Sequence, residues 1–440
     1  MHLRGGRPLE RFLSLFAEVR TGEAPAVLAL TLNVFLLLNA YYLLKPVREA
    51  LILSVPGGAE LKSYTAVLQA VLLLFVVPLY GWLGSRVRRR QLINIVSLFF
   101  VACMMVFYFL IKAHVHVGVV FFLWIGIYSL MIVAQFWSFA NDIYTPEAGK
   151  RLFAIVGFGA SLGAVVGSAV AGSLIRALGV EQMLPLAAVL LVASLVLTYW
   201  VDTHTRSANS SSPRAEIGPL RSGSAYRLIT HNRYLLLMAI MILAYNWVNS
   251  NGEYILSHMV AERSEELIRS GQLAEVDQMG YIGEFFAKYF AAASVLSLLL
   301  QLFVVSRLIK YFDIPAAVCV MPILSLLGLT VIAIIPSLVV VRWMKVTENA
   351  TDYSLQNTVR QMLFLPLTRE EKYTGKQAID TFFVRCGDVL SALLVYVGSG
   401  MLLWQARDFA IANLFIAAVW LALAVLVGRE YRKRVHLPQS

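Results

Sequence analysis

The sequence predicts an all-α membrane protein of twelve transmembrane helices arranged in two six-helix halves. Three observations predict this fold class: apolar runs long enough to cross a bilayer, basic residues confined to alternate loops, and one polar segment that divides the runs into two sets. The 440 residues are 59% hydrophobic and 14% charged, with a mean hydropathy of +0.72. A soluble chain of this length would divide into domains with polar surfaces, so the expected solvent is a bilayer.

Each apolar run continues for roughly 20 residues, the length of a helix that crosses the hydrocarbon core and satisfies its own backbone. Strands of a membrane β-barrel would alternate instead, and the runs do not. The runs predict twelve spans near residues 24–44, 63–85, 91–112, 117–140, 152–175, 183–201, 234–257, 284–305, 315–336, 338–358, 377–403 and 408–428.

The net charge of +11 is concentrated in alternate loops. Basic residues follow the second, fourth, eighth and tenth runs, fill the segment between the sixth and seventh, and end the chain. The long loop from His258 to Gly280 is acidic on balance. This positive-inside pattern predicts a multi-pass protein of the cell (inner) membrane with both termini in the cytoplasm. It also accounts for the charge without a nucleic-acid partner.

One polar segment rich in Ser, Pro and Arg separates the first six runs from the last six. The expected organisation is a cytoplasmic amphipathic segment 1–23, an N-terminal half 24–201, a cytoplasmic linker 202–233, a C-terminal half 234–428 and a basic cytoplasmic tail 429–440. The Gly-Lys pairs at Gly149 and Gly375 enter the next helix at matching places in the two halves. A parallel repeat of this kind is how major facilitator transporters are built.

The loop after the second run resembles the major facilitator motif G-x-L-x-D-R-x-G-R-R. Residues 81–90 keep the first Gly, the Leu and the basic residues, with Ser85 and Arg88 in place of the Asp and the second Gly. With twelve spans and a central loop, the motif favours a transporter. No catalytic triad or carboxylate dyad is recognisable, so no enzyme activity is expected.

Glycines in the fifth run predict close helix packing. Gly159, Gly163 and Gly167 stand at i, i+4 and i+8, which forms a ridge of small residues. The three cysteines lie far apart in separate runs and form no metal-binding spacing. Neither a metal nor a cofactor is therefore expected.

Ionisable residues inside apolar runs are costly, so they usually line a cavity, form pairs or act in transport. Such residues cluster in the first, seventh, tenth and eleventh runs. The expected substrate-binding residues are Lys45, Arg48, Asn246, Glu253, Arg342, Lys345, Arg360 and Arg385. The expected coupling or gating residues are Glu49, Glu253, Asp352, Asp380 and Asp388.

For several of these residues, a purely structural role is the alternative to a role in transport. The charges from Arg342 to Asp352 follow spacings of three and four, so they could form a self-neutralising ladder between helices or line a cavity. Lys45 and Glu49 lie near the membrane edge and could extend to the interface or pair across one turn. Pro46 and Gly252 are expected to interrupt the first and seventh helices at corresponding places, which is typical of a transport site.

The stretch FWSFANDIYTPEAGKRLFAIVGFGASLG, residues 136–163, resembles the signature after the fourth span of the bacterial and plastid nucleotide (ATP/ADP) transporters. These carriers are a divergent branch of the major facilitators. Residues 45–49, KPVRE, are similar to their first-span pattern R-D-T-K-D. Residues 375–380 keep their G-K-x-x-I-D.

The seventh run resembles the family pattern Y-N-x-x-x-N-x-x-E through Tyr245, Asn246 and Glu253, with Ser250 at the second Asn. The resemblance implies that the transport roles of the family's first-span Lys and seventh-span Glu fall on Arg48 and Glu253.

The sequence also departs from the family at positions of its fourth, tenth and eleventh spans. Ile125 stands where the family has a Glu, and Arg360 and Asp388 stand where it has Lys.

Nucleotide exchange by alternating access is therefore the leading hypothesis, with a small anion such as ATP or ADP as the solute. A polyphosphate requires several cations, and Tyr41, Tyr42 or Trp247 could stack on a base. The alternatives are a proton-coupled facilitator for another small anion or metabolite, and a non-transporting scaffold or lipid-handling protein. We expect a monomer embedded in the lipid bilayer.

Overall fold

A computed structural model describes residues 23–144, 146–205, 228–368, 371 and 375–436. Most of the predicted amphipathic segment, the middle of the predicted linker and the end of the predicted tail lie outside these ranges. The described chain is almost entirely helical, as the apolar runs predict, because a helix satisfies every backbone donor and acceptor without water.

Six helices form from the first six apolar runs. They are α1 (Ala24–Leu53), α2 (Gly58–Arg86), α3 (Arg89–Lys112), α4 (Gly118–Ile143), α5 (Pro146–Leu178) and α6 (Met183–Thr205).

The second set of runs gives six further helices, several of which contain π turns. They are α7 (Arg233–Arg269), α8 (Gln278–Leu300), α9 (Ser306–Ile334), α10 (Leu338–Thr351), α11 (Val384–Val395) and α12 (Ala406–His436). A π turn, Asp352–Gln356, continues α10 into the short helix Asn357–Leu363, and the π turns Ile379–Phe383 and Tyr396–Met401 flank α11. Such turns are rare and often lie at functional sites.

Ten helices of the described residues are long and apolar enough to cross a membrane. One of them, the 60-residue segment 275–334, holds both α8 and α9. The 14-residue α10 is outside this set and carries Arg342, Lys345 and Glu348. The predicted all-α membrane fold is confirmed, and the set is consistent with twelve spans.

The internal contacts of the chain divide it into two compact units. Unit 1 contains α1, α3 to α6, α2 from Val71 onward, and residues 276–291 at the start of α8. Unit 2 contains residues 53–70 together with α7, the rest of α8 and α9 to α12. The first turns of α2 and α8 thus belong to a different unit from the rest of their predicted half.

The glycine ridge of α5 packs against α1, as predicted. A Cβ atom at Gly159, Gly163 or Gly167 would come within 2.5–2.7 Å of a backbone oxygen of α1. The oxygens belong to Thr31, Phe35 and Asn39. Only glycine allows the two backbones to approach this closely.

The predicted helix interruptions at Pro46 and Gly252 are wrong. Helix α1 runs from Ala24 to Leu53 with Pro46 inside it, and α7 runs from Arg233 to Arg269 through Gly252. Packed neighbouring helices allow a membrane helix to accommodate proline without ending. Gly252 instead provides space, because a Cβ atom there would lie 3.0 Å from Nζ of Lys345.

Candidate functional site

A lysine buried in unit 2 is the centre of the candidate site. Lys345 of α10 is 1% exposed, and its Nζ lies 3.0 Å from Oε2 of Glu348 and 3.7 Å from Oε1 of Glu253. The same ammonium donates to Oδ1 of Asn249 at 3.1 Å. Burial of one charge without a partner is very costly, so the two carboxylates are what allow the lysine to lie inside the unit.

Glu253 of α7 makes side-chain contacts with α10. It projects from α7, and Nδ2 of Asn349 on α10 donates to its Oε1 at 3.0 Å. Lys345, Glu348 and Asn349 are all buried, as their predicted position on one helix face requires. Lys345 therefore pairs with Glu348 on its own helix and with Glu253 on α7, as in the predicted ladder between helices, whereas the lining of a cavity stays a prediction.

One turn further along, Asp352 begins the π turn that follows α10. The hydroxyl of Tyr245 on α7 donates to its Oδ1 at 2.6 Å. Tyr245 was recognised in the sequence as part of the family pattern but was not placed among the site residues. The signal that could have found it is its place two turns before Glu253 on the same helix.

Helices α7 and α11 meet around the carboxylate of Asp388. Its Oδ1 accepts from Nδ2 of Asn246 at 2.7 Å and from Oγ of Ser250 at 2.9 Å. Nη1 of Arg385 donates to its Oδ2 at 3.1 Å. Ser250, which replaces the second Asn of the family pattern, therefore bonds to Asp388, which replaces one of its Lys residues.

Arg360 and Asp380 form a further ion pair of unit 2. Asp380 lies in the π turn before α11, and Arg360 lies in the short helix that follows the π turn of α10. Arg342 lies one turn before Lys345, with its guanidinium 5.8 Å from the ring centre of Trp343. Every predicted site residue from Asn246 to Asp388 thus falls in unit 2.

The predicted site cations of unit 1 contact aromatic rings. Nζ of Lys45 lies 4.0 Å from the ring centre of Phe290 and 5.2 Å from that of Tyr42. Such contacts favour a cation where water is scarce.

Arg48, one turn further along α1, pairs with the adjacent Glu49 through a 3.0 Å hydrogen bond from its Nε. Its guanidinium lies 4.7 Å from the ring centre of Phe122. Lys45, Arg48 and Glu49 therefore form a cluster within unit 1.

Comparison with protein families agrees with this architecture. The model of the Major Facilitator Superfamily matches residues 30–362. ADP,ATP carrier protein 1 of Chlamydia muridarum is 23% identical over 97% of this chain and 92% of its own length. ADP,ATP carrier protein 1 of Chlamydia pneumoniae is 25% identical, and that match spans 69% of this chain and 65% of the carrier. The resemblance expected from the sequence motifs is confirmed.

Solved transporter structures share the fold. A bacterial homologue of the iron transporter ferroportin, in an inward-facing state, aligns over 92% of this chain and 98% of its own with a TM-score of 0.63. Its sequence identity is 14%, so the likeness concerns the fold alone.

Proposed function

This chain belongs to the major facilitator superfamily, and we propose that it is a secondary-active transporter that exchanges nucleotides of the ATP and ADP type. One observation carries the substrate class: the chain is similar over nearly its whole length to a protein named as an ADP,ATP carrier. Transport by this superfamily proceeds by alternating access, in which two helix bundles move around a central site. The chain is thus a carrier, for which no catalytic residues are required.

The ion pairs of unit 2 supply a physical reason for exchange. Lys345, Arg360 and Arg385 each contact a carboxylate of the same unit. A phosphate group that binds these cations has to replace carboxylate oxygens as their partner. The carboxylates take the cations back when the phosphate leaves, so Glu253 can act as the gating residue that stabilises the empty site.

The cluster of unit 1, taken by itself, has groups that suit a nucleotide. Lys45 and Arg48 provide positive charge, and guanidinium groups bind phosphate oxygens in pairs. The rings of Tyr42, Phe122 and Phe290 lie against these cations and offer faces on which a base could stack. We assign the role of the family's first-span lysine to Arg48.

A specific observation favours proton coupling as a second function. In the described part of unit 2, five carboxylates of the cluster accompany the four site cations Arg342, Lys345, Arg360 and Arg385. They are Glu253, Glu348, Asp352, Asp380 and Asp388. A carboxylate in excess of the cations is a group that can accept a proton. A proton-coupled facilitator for another small anion is the function that this excess would serve.

The expected membrane setting follows from charge placement. We propose a cell (inner) membrane location with both termini in the cytoplasm, since basic residues favour the cytoplasmic side. We also propose that the monomer is the transporting unit, because each cluster described above is completed within one chain.

Uptake of labelled ATP into proteoliposomes preloaded with ADP tests the proposal. Protein-free liposomes and liposomes without internal ADP serve as controls, and Arg48→Ala and Glu253→Ala are measured beside the parent. We expect uptake that requires internal ADP and falls at least about a hundredfold in both variants, as expected for lost charged contacts of about 3 kcal/mol.

Two outcomes would redirect the proposal. A folded parent that takes up no ATP would remove nucleotide exchange, and uptake of other anions under a proton gradient would then favour the second function. Normal transport by folded Arg48→Ala would show that Arg48 only anchors α1 at its ring and carboxylate partners.

A further inference from the structure

A small polar cluster in unit 2 shares no residue with the Lys345 network. Glu60, in the first turn of α2, accepts at its Oε1 from the hydroxyl of Tyr254 on α7 at 2.7 Å. Nδ1 of His258 lies 3.5 Å from the same oxygen. The rings of Tyr254 and His258 stack with centres 5.6 Å apart and planes at 28°. One carboxylate oxygen therefore serves two side chains that lie one turn apart on α7.

The same two helices meet at a second polar contact beside the cluster. Nζ of Lys62 on α2 donates to Oγ of Ser257 on α7 at 2.8 Å. Phe409 of α12 also packs against Tyr254, with ring centres 4.8 Å apart. Other titratable or charged residues on the neighbouring parts of α2, α7, α12 and the π turn after α11 include Tyr64, Glu262, Arg263, Glu265, Glu266, Tyr396, Arg407 and Asp408.

The cluster is partly exposed. The side chains of Glu60 and His258 are 22% and 25% exposed, whereas the side chain of Lys345 is 2% exposed. Histidine is the side chain whose ordinary titration falls in the physiological range. Protonation of His258 would place a full positive charge beside the Glu60 carboxylate, and loss of that proton would leave Tyr254 as the main partner of Glu60.

We propose that Glu60, Tyr254 and His258 form a proton-binding site that fastens the start of α2 to α7. Helix α2 starts in unit 2 with α7 and continues in unit 1 from Val71 onward, and alternating access moves one helix bundle of a transporter against the other. A protonated His258 therefore strengthens a contact that the transport cycle has to loosen. The inference rests on the alternating-access part of the proposed function and does not depend on the identity of the solute.

The sign of the effect follows from the ion pair. Below the titration range of His258 the imidazolium is paired with Glu60, and the contact between α2 and α7 is strongest. Above that range the Coulomb attraction is lost, so the contact opens more often. Glu262 and Glu265 on α7 add to the attraction for the proton, whereas Lys62 on α2 opposes it.

Cysteine accessibility measures this opening without any solute. Thr65 lies one turn beyond Lys62, is 3% exposed, and bonds only within its own helix to the Leu61 oxygen at 2.7 Å. Thr65→Cys is placed in a chain whose native cysteines are replaced by serine. Its labelling by a membrane-impermeant maleimide is divided by the labelling of the same protein unfolded at the same pH, which removes the pH dependence of the reagent.

We expect the labelling ratio of Thr65→Cys to rise about two- to fivefold from about pH 5.5 to about pH 8, the range in which histidine titrates and the size typical of such an ion pair. Adding His258→Gln should flatten the profile. Adding His116→Gln, at an exposed loop histidine, should leave it unchanged. A flat profile in Thr65→Cys, an equal slope with His258→Gln, or a loss of slope with His116→Gln would each overturn the proposal.

Transport measured on the same proteins separates this proposal from the proposed function. Exchange should quicken with pH in the parent by a similar factor and lose that dependence in His258→Gln. A pH-dependent labelling ratio in protein that exchanges no ATP would keep the proton site and remove nucleotide exchange. Active exchange with flat labelling would remove the proton site and keep the proposed function.

Discussion

The helix pairs α1–α5 and α7–α11 hold corresponding places in the two predicted halves, yet they are joined by different means. Three glycines bring α5 against the backbone of α1. Between α7 and α11, Gly387 is the described glycine that makes such an approach, 2.9 Å from the Leu243 oxygen for an added Cβ. Side-chain hydrogen bonds, among them two to Asp388, also join these helices. Shape thus fixes the first interface, whereas polar groups that can change partners fix the second.

We interpret this difference between the two interfaces as a difference in function between the two units. A backbone contact with no spare volume cannot adjust to a charged solute, because packed interiors respond to volume changes as small as one methylene. A carboxylate–cation pair can exchange its carboxylate for a phosphate. From this comparison we propose that changes of charge occur in unit 2 and that unit 1 gives rigid support, with Lys45 and Arg48 as its site cations.

The strongest test of the comparison removes the buried cation of unit 2. Lys345→Met keeps an apolar stem of similar length but leaves Glu253 and Glu348 without their shared partner. We expect a loss of about 3–5 kcal/mol in unfolding free energy, the usual result of breaking a buried pair from one side. Denaturant unfolding in detergent measures the stability, and the proteoliposome assay should detect no exchange.

A double variant distinguishes lost charge balance from lost packing. Lys345→Met combined with Glu348→Gln removes one of the two orphaned charges, so part of the stability should return while exchange stays absent. If Lys345→Met alone is as stable as the parent, the carboxylates do not depend on Lys345 and the exchange of partners proposed here is wrong.

The next effect concerns the interface that shape fixes. Gly163→Ala places a Cβ atom 2.5 Å from the Phe35 oxygen, and a backbone atom cannot move aside as a side chain can. Overpacking of this kind typically costs about 1–3 kcal/mol. A lower thermal midpoint in detergent and a smaller folded peak in size-exclusion chromatography are the expected results.

Gly157 provides the matched control on the same helix. A Cβ atom at Gly157 would meet nothing within 4 Å, so Gly157→Ala should be neutral or slightly stabilising. Equal behaviour of the two alanine variants would contradict a shape-fixed interface in unit 1.

Features that depend on composition and local spacing were predictable from the sequence. Apolar runs predicted the helices because length and hydropathy alone decide whether a segment can cross a bilayer. The ridge of Gly159, Gly163 and Gly167 was predictable for the same reason, since i, i+4 spacing places small residues on one face. The face shared by Lys345 and Glu348 followed from the same periodicity.

Features that depend on distant partners were not predictable. Pro46 and Gly252 were expected to break helices, but neighbouring helices decide whether a breaker ends a membrane helix, and Gly252 accommodates Lys345 across the interface. Glu60 and its partner Tyr254 are 194 positions apart in the sequence, and His258 lies one turn beyond Tyr254. No local pattern marks these residues, because each alone resembles an ordinary polar residue near a span end.

The smallest effect is expected at Arg385, which is more exposed than the paired site cations Lys345 and Arg360. The Arg385 side chain is 40% exposed, whereas that of Asp388 is 13% exposed and also accepts from Asn246 and Ser250. Arg385→Gln should therefore change the unfolding free energy by less than about 1 kcal/mol, as exposed pairs usually do. If Arg385 binds phosphate as proposed, the KM for ATP should still rise severalfold in the exchange assay.

Asp388→Asn is the informative partner of Arg385→Gln. It removes the charge of an acceptor that holds α7 to α11, so its stability loss should exceed that of Arg385→Gln. A larger loss for Arg385→Gln would mean that the arginine, rather than the hydrogen bonds from α7, maintains this interface. In that case the polar interface of unit 2 would depend on a surface charge and would be more sensitive to salt than the glycine interface of unit 1.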